Sequence, residues 1–249
     1  LTMLSRRLTQ INKSSIKDIE SLRHSRPNSQ AGYRQPAHME EAYVPPRSAS
    51  FEDPLRIAVL ISGGGSGLAA LLRYQEDEAR THQTVLVLAD SESAGGLEHA
   101  RSREIENYGI PLPIMEDKLQ RRLAHEELVH MALVNADVEL VVLSGYMRIL
   151  TPSFVKRWKG RLVNIHPSLL PKYPGAHAHR DALADGATVS GCTVHLVDEG
   201  VDSGMILAQS EVPVHPEDTE SDLQERIKKV EHLLYPEVLD TLSVGGYSV

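Results

Sequence analysis

An asparagine and a histidine lie two positions apart inside a short apolar run of this sequence. The run is Leu162-Val163-Asn164-Ile165-His166, and alternate side chains of a strand share one face. Asn164 and His166 would therefore lie side by side. At the carboxyl end of a strand in an open α/β sheet, such a pair can hydrogen-bond a carbonyl oxygen and move a proton. The alternative is a core histidine whose ring is satisfied by backbone groups.

The segment after His166 and an acidic turn further along the chain favour the catalytic interpretation. Three prolines fall within positions 167–174, and they stiffen a connection that would otherwise be mobile. A strand-like apolar pattern ends near Val197 and is followed by Asp198, Glu199 and Asp202. These acids indicate either a solvated turn or a carboxylate that faces His166 and favours its protonated form.

A glycine-rich turn, Ser62 to Gly67, lies between a predicted strand and a predicted helix. Main-chain NH groups at such a helix start favour an anion, which predicts a phosphate site. A flexible turn without a ligand is one alternative. Dinucleotide binding is another, since Gly65-x-Gly67-x-x-Ala70 fits the relaxed pattern and Asp90 could hold a ribose hydroxyl. The first glycine of that pattern, however, lies four residues beyond the strand.

Composition limits the classes of protein to which the chain can belong. Its 249 residues are 41% hydrophobic and 24% charged, which predicts one globular domain or at most two small ones. No apolar run approaches the length of a membrane span. A net charge of −8 argues against a dedicated nucleic-acid binder. Cys192 is the only cysteine, which favours a reducing compartment.

The chain divides near residue 54. Residues 1–54 are rich in Ser, Arg, Pro and Gln and lack strand-like runs, so we expect a poorly ordered extension before a domain at 55–249. Leu1, Leu4, Leu8 and Ile11 have helical spacing among basic residues, as in an organelle transit peptide. We expect a cytoplasmic location, with an organelle as the alternative if the extension is a transit peptide.

From residue 55 onward, short apolar runs alternate with helical patterns, which predicts an α/β fold with a mostly parallel twisted sheet and helices on both faces. The predicted strands are 55–61, 84–89, 112–115, 140–144, 162–166, 190–197 and 205–214. Two predicted helices begin at residues 68 and 152. Four others span 96–108, 118–135, 178–185 and 220–242. In the helix 118–135, the spacing of Leu119, Leu123, Leu128 and Met131 predicts a buried stripe.

Several segments together resemble the phosphoribosylglycinamide formyltransferase family. They are Ile61-Ser62-Gly63-Gly64-Gly65-Ser66, Ser144-Gly145-Tyr146-Met147-Arg148-Ile149-Leu150, Asn164-Ile165-His166-Pro167-Ser168-Leu169-Leu170-Pro171, Gly191-Cys192-Thr193-Val194-His195, Val201-Asp202-Ser203-Gly204 and Glu231-His232. The third segment by itself is similar to a wider group of formyl-transferring enzymes. The segments extend over about residues 55–242 in the family's order.

The resemblance implies a Rossmann-like formyltransferase fold and a reaction of de novo purine biosynthesis. The amine of glycinamide ribonucleotide would attack the formyl carbon of 10-formyltetrahydrofolate, the co-substrate, and no metal would be needed. Asn164 would hold the formyl oxygen, His166 would donate the proton, and Asp202 would support the charged imidazole. The partners would be small molecules, not nucleic acid or a membrane, and the protein would be a monomer or a homodimer.

The resemblance also assigns binding residues. The substrate phosphate would lie on Gly65, Ser66 and Gly67, with Lys228 and Glu231 nearby. The residues expected to bind folate are Met147, Arg148, Ile149, Leu150, Asn164, Asp198, Glu199, Gly200, Val201 and Asp202, with Arg121, or alternatively Arg122, at the acidic end of the folate.

The sequence departs from the family pattern in three places. Gly67 stands where the phosphate loop usually has Asn, the N-terminal extension is foreign to the compact members, and only residues 243–249 follow Leu242. The last departure predicts an incomplete sheet edge.

Two other classes of function remain open on the sequence. Another user of formyl folate would be a formyl-methionyl-tRNA synthesising enzyme or a formylfolate hydrolase; the chain shows neither a basic C-terminal domain nor a recognisable N-terminal regulatory domain. A dinucleotide-binding oxidoreductase or a non-catalytic nucleotide-binding module would use the glycine-rich turn alone.

Overall fold

A computed structural model describes residues 47–246. The helical spacing of Leu1 to Ile11 and the rest of residues 1–46 lie outside this range. Residues 47–54, at the end of the predicted extension, contact the domain: Arg47 Nε donates to Glu139 Oε1 at 2.7 Å, and the Ala49 amide donates to the Ser243 carbonyl at 3.0 Å. No helix of the described range is both long and apolar enough to cross a membrane.

Seven strands and six helices make up the described domain. The strands are β1 (Leu55–Ile61), β2 (His82–Ala89), β3 (Glu106–Gly109), β4 (Leu140–Leu143), β5 (Leu162–His166), β6 (Val189–Leu196) and β7 (Ile206–Pro213). The helices are α1 (Ser66–Asp77), α2 (Leu97–Arg101), α3 (Lys118–Asn135), α4 (Pro152–Arg157), α5 (Ala178–Ala184) and α6 (Glu220–Ser243).

All seven strands belong to one sheet with the order β3-β2-β1-β4-β5-β6-β7. β1 to β5 pair in parallel, whereas β5 with β6 and β6 with β7 pair antiparallel. The predicted mostly parallel α/β sheet is confirmed. β2 and β3 are added in turn on one side of β1. β4 lies on the other side of β1, and β5, β6 and β7 follow it in that direction. The strand order therefore reverses between β1 and β4, where open α/β sheets bind ligands.

Alternate side chains of the central strands supply two hydrophobic cores. Ile57 and Val59 of β1 pack with residues of α1, α2 and α6 on one face. Ala58 and Leu60 pack with residues of α3 and α4 on the other. The predicted helices on both faces are therefore present. Because both faces of the central strands are buried, these strands are nearly continuous apolar runs rather than alternating ones.

Two predicted elements around residue 100 are wrong. The predicted helix 96–108 ends at Arg101, since Glu104 adopts φ 56° and reverses the chain, and Glu106–Gly109 forms the edge strand β3 beside β2. The predicted strand 112–115 is irregular. Pro111 and Pro113 lack the NH groups that a ladder needs, and Ile114 is fully exposed.

The predicted buried stripe of α3 is also wrong. Leu119, Leu128 and Met131 are about half exposed, and the buried positions are His125, Glu126, Val129 and Leu133. Glu126 accepts hydrogen bonds from the Thr151 amide and hydroxyl, and His125 Nε2 donates to the Ile110 carbonyl. Because both polar side chains have hydrogen-bond partners inside the protein, the helix can bury a face that hydrophobic periodicity assigns to solvent.

The C-terminal helix α6 lies across the sheet and closes the first core. Its start is fixed by a capping box, in which the Thr219 hydroxyl and the Asp222 carboxylate bond each other's backbone amide. The hydroxyl of buried Tyr235 lies 3.1 Å from the Leu143 carbonyl and 2.9 Å from the Val163 carbonyl. One side chain of α6 thus contacts two neighbouring strands, β4 and β5.

Removal of this hydroxyl should destabilise the domain. We expect Tyr235→Phe to lower the free energy of unfolding by about 1–2 kcal/mol, because two buried carbonyls lose their hydroxyl partner. Urea denaturation measures the change. Tyr108→Phe is the matched control, since its hydroxyl bonds Glu106 on an exposed edge strand, and we expect it to change stability by less than about 0.5 kcal/mol. Equal losses in the two variants would contradict the structural role of Tyr235.

Candidate active site

A crevice of about 550 Å³ opens at the carboxyl ends of β1, β4 and β5. The glycine-rich turn after β1, the loop after β4, the end of β5, the turn after β6 and α6 all line it. The predicted catalytic residues Asn164, His166 and Asp202 all reach this crevice. Side chains from well-separated parts of the sequence therefore meet in one place.

The glycine-rich turn is held tightly against the start of α2. Gly65 has φ 66° and precedes α1, and a Cβ there would lie 2.9 Å from the Gly96 Cα. A Cβ on Gly67 would collide with the Ser144 hydroxyl, so the departure from the family's Asn matches a close approach between α1 and the end of β4. No side chain caps α1, and its first amides are free to bind an anion.

The His166 imidazole is buried and lies between two hydrogen-bond acceptors. Its Nε2 is 2.9 Å from the Tyr173 carbonyl, and its Nδ1 is 3.3 Å from Asp202 Oδ2. A carbonyl and a carboxylate only accept hydrogen bonds, so the imidazolium is the form that satisfies both contacts. The predicted pairing of His166 with a carboxylate of the acidic turn is present, and the carboxylate is Asp202.

Asp202 owes its position to the geometry of its turn. The residue adopts φ 51°, and its Oδ2 also accepts from the Gly175 amide at 2.8 Å. Asp198, in contrast, stays within the turn, where its Oδ1 accepts from the Gly200 amide and the Ser203 hydroxyl. Two of the three carboxylates of this turn therefore have different roles: Asp198 shapes the turn and Asp202 faces the histidine.

His195 contacts Asn164 and was not among the predicted site residues. It faces Asn164 across the β5–β6 pair, and its Nε2 lies 3.2 Å from Asn164 Nδ2. Burial lowers the pKa of His195. The neutral ring donates from Nδ1 to the Leu196 carbonyl and accepts one Asn164 NH at Nε2, which leaves the second NH of that amide for a ligand. The sequence carries no local signal for this contact, because the two side chains meet only across the β5–β6 pair.

The loop after β4 forms one wall of the crevice. Met147, Arg148, Ile149 and Leu150 all line it, and the side chains of Met147 and Ile149 are mostly exposed. A smaller cavity of about 280 Å³ lies between this loop and α3. The loop therefore divides two cavities and presents apolar side chains beside the polar catalytic groups.

The remaining predicted contacts divide into two groups. Asp198, Gly200 and Val201 line the crevice, whereas Glu199 and Arg121 do not. Arg122, the alternative to Arg121, lines the smaller cavity and donates from Nη2 to the Ile149 carbonyl at 2.7 Å. Of the two arginines, Arg122 is thus the one that touches the crevice wall.

Helix α6 supplies charged groups to the crevice that the glycine-rich turn also lines. Lys228 and Glu231 line the crevice together with the predicted anion site. Burial raises the pKa of Glu231 to about 7, although the charge of Lys228 acts in the opposite direction. A carboxyl group with this pKa changes its charge near neutral pH.

Other histidines of the crevice are shifted towards their neutral form. Burial lowers the pKa of His179 and of His232, and the positive charge of Lys228 adds to both effects. Within residues 47–246, no cluster of three or more His, Cys, Asp or Glu side chains is arranged to hold a metal ion. The absence of a metal requirement remains a prediction.

Asp90 does not have the free carboxylate that dinucleotide binding would need. Its Oδ2 accepts from Arg148 Nε at 2.7 Å, and its side chain is only 10% exposed. A ribose hydroxyl would have to compete with this ion pair. The structure therefore disfavours the dinucleotide alternative at the position on which it depended.

Comparisons with known proteins agree with this geometry. A sequence profile described as formyl transferase matches residues 55–239. The Drosophila melanogaster protein named trifunctional purine biosynthetic protein adenosine-3 is 46% identical over 192 residues, which are 76% of this chain and 14% of the relative. Phosphoribosylglycinamide formyltransferase of Escherichia coli (strain K12) is 40% identical over 191 residues, 77% of this chain and 88% of the relative. The chain thus matches a small part of the trifunctional relative and most of the bacterial one.

Solved structures give the same result for the fold. Glycinamide ribonucleotide transformylase 1 from Symbiobacterium toebii is 38% identical with a TM-score of 0.73, over 77% of this chain and 89% of that one. Phosphoribosylglycinamide formyltransferase from Brucella melitensis is 40% identical with a TM-score of 0.70, over 76% of this chain and 96% of that one. The profile match, the sequence identities and the shared fold all lead to one conclusion: this chain belongs to the formyl transferase family.

Proposed function

We propose that the domain transfers the formyl group of 10-formyltetrahydrofolate to the amino group of phosphoribosylglycinamide, a step of purine biosynthesis. The observation that carries the proposal is the meeting of Asn164, His166 and Asp202 beside the uncapped start of α1. Proton-transfer groups and an anion site in one crevice suit an acyl transfer to a phosphorylated amine. The names of the bacterial relatives support this substrate.

The reaction needs two proton movements and one stabilised oxygen. A C–N bond forms between the substrate amine and the formyl carbon, and the bond from that carbon to the folate nitrogen breaks. The amine loses a proton and the folate nitrogen gains one. Negative charge develops on the formyl oxygen in between, where preorganised donors have their largest effect.

Asn164 has an NH left for that oxygen, and His166 would donate to it from Nε2 in exchange for its contact with the Tyr173 carbonyl. The Asn164 amide is oriented by neutral His195, since one NH is committed to His195 Nε2. The His166 ring lies between the Tyr173 carbonyl and the Asp202 carboxylate, which fix its orientation. Asp202 lines the same crevice and supports His166 throughout the proton transfer.

The ribonucleotide would bind between the glycine-rich turn and α6. Backbone NH groups of Gly65, Ser66 and Gly67 suit a phosphate, because they lie at a helix start without a side-chain cap. Lys228 adds a positive charge next to this turn. Glu231, in its ionised form, accepts hydrogen bonds from the ribose hydroxyls.

The folate would bind between the loop after β4 and the turn after β6. Met147, Ile149 and Leu150 offer apolar contacts, and Asp198, Gly200, Val201 and Asp202 form the opposite wall. Arg148 lines the crevice and is partly exposed, and Arg122 touches the same loop, so both suit the acidic end of the folate. Arg121 and Glu199 stay predictions from the sequence, as do the monomeric or homodimeric state and the cytoplasmic location.

One assay separates this proposal from its alternatives. Purified protein is incubated with glycinamide ribonucleotide and 10-formyltetrahydrofolate, and formylated product is quantified by mass spectrometry. Omission of the ribonucleotide detects a formylfolate hydrolase, and its replacement by methionyl-tRNA detects the tRNA-directed activity. Folate consumption that does not depend on the ribonucleotide would overturn the proposal.

Loss of either member of the histidine–carboxylate pair should slow the reaction strongly. We expect His166→Ala and Asp202→Asn each to lower kcat by at least about 10²-fold, because each removes part of the acid–base machinery. Steady-state kinetics measures the effect. The matched control is Asp137→Asn, since Asp137 also has a positive φ, 49°, but follows α3 outside the crevice. Near-normal rates in both site variants would reject these roles.

The affinity for the ribonucleotide should depend on the charge of Glu231. Since burial raises the pKa of Glu231 to about 7, the carboxylate is lost as the pH falls from 8 to 6, and the dissociation constant should rise. In Glu231→Gln this part of the pH dependence should disappear. Isothermal titration calorimetry of the ribonucleotide alone checks this without the chemical step. The substrate phosphate titrates near pH 6 in both proteins, so identical pH profiles of wild type and variant would contradict the prediction.

A further inference from the structure

The loop 144–150 lacks regular secondary structure and depends on side chains from three other elements. The Ser62 hydroxyl, after β1, accepts from the Met147 amide at 2.8 Å. Arg122 of α3 donates to the Ile149 carbonyl at 2.7 Å. Asp90, directly after β2, accepts from Arg148 Nε at 2.7 Å. The first two contacts hold the backbone of the loop, whereas the third holds a side chain.

The Asp90–Arg148 ion pair is asymmetric in its exposure. The Asp90 side chain is 10% exposed and the Arg148 side chain 43% exposed. The aspartate is thus the fixed partner, because it follows a buried strand of the sheet, and the arginine reaches it from a loop. The hydrogen bond uses Nε, so the end of the guanidinium with the two Nη groups is not committed to Asp90.

From this geometry we propose that Asp90 is a positioning residue for the folate site: it fixes the guanidinium of Arg148 so that its Nη groups face an anionic group of the bound folate. The inference rests on the proposed function, since it assigns a task to the same crevice. Asp90 touches neither substrate. Its effect passes through Arg148, which lines both the crevice and the smaller cavity behind the loop.

The surroundings of the pair agree with this assignment. Asp90 and Arg148 act with opposite sign on the pKa of Tyr146 and on the pKa of His125, although burial is the largest cause of both shifts. Both charges thus act on a tyrosine of the loop and on a histidine of α3, so the ion pair lies near the junction of these two elements. A guanidinium that a carboxylate already holds has fewer orientations to lose when a ligand binds than a free one.

The proposal predicts a selective loss of folate affinity. Asp90→Asn keeps the volume of the side chain and removes its charge, so we expect the dissociation constant of tetrahydrofolate to rise about three- to tenfold. The value of kcat should stay within about twofold, and the KM for the ribonucleotide should not change, because Asn164, His166 and Asp202 are left intact. Equilibrium dialysis measures folate binding independently of turnover, and thermal melting verifies that the variant folds.

A double-variant cycle distinguishes positioning from a general structural role. Arg148→Ala alone should weaken folate binding, and adding Asp90→Asn should cause no further loss, since Asp90 acts only through Arg148. Additive losses would overturn the inference. So would an unchanged folate affinity in Asp90→Asn.

The matched control breaks a similar ion pair elsewhere. Arg103 Nε and Glu76 Oε1 also lie 2.7 Å apart, with Glu76 on α1 outside the crevice. Glu76→Gln removes the same charge and should leave folate binding unchanged. If Glu76→Gln weakened folate binding as much as Asp90→Asn, the effect would be due to net charge and the inference would be overturned. Folate binding by a wild-type protein that transfers no formyl group would reject the proposed function alone. An active wild type with an unaffected Asp90→Asn would reject the role of Asp90 alone.

Discussion

The site depends on holding the imidazole of His166 between the Tyr173 carbonyl and the Asp202 carboxylate. Both acceptors lie in irregular segments, so other contacts must fix them. The Ser168 hydroxyl donates to the Lys172 carbonyl, and the buried Thr193 hydroxyl donates to the Ser168 carbonyl. These bonds anchor the segment after His166 to β6. The segment then carries Tyr173 to Nε2 of the histidine, and its Gly175 amide binds Asp202. A loop closed on itself in this way positions a proton donor without regular structure.

The sheet topology explains why distant parts of the sequence converge. Strand order reverses between β1 and β4, so the loops that follow these two strands diverge and leave a crevice between them. β6 runs antiparallel to β5, and its register sets His195 opposite Asn164. A one-residue slip would turn one of these side chains to the other face. Such a slip would also remove Val163 and Val194 from the core that they share with Ile57 and Val59.

The sequence predicts the parts of this structure whose signals are local. The apolar run of β1 and the helix bounds of α3 agree with the structure, and the spacing of Asn164 and His166 gives their shared strand. Partners distant in sequence leave no such signal. The burial of His125 and Glu126 depends on Ile110 and Thr151, so periodicity alone assigns the wrong face of α3 to the core. The same reason hides the contact of His195 with Asn164 and that of Asp90 with Arg148, since each pair forms only when the sheet assembles.

Charge poses a problem that the crevice solves locally. The chain carries −8 overall, while a phosphate and an acidic folate would both arrive as anions, and exposed charges act weakly beyond about 8 Å at physiological salt. Short-range groups must therefore dominate. Three such groups line the crevice. The uncapped start of α1 offers backbone NH groups, and the side chains of Lys228 and Arg148 are positively charged. Asp202 remains as the negative group next to His166, where the reaction needs a protonated ring. The crevice thus uses different groups for two tasks: Lys228, Arg148 and the start of α1 attract the anionic substrates, and Asp202 supports the protonated His166.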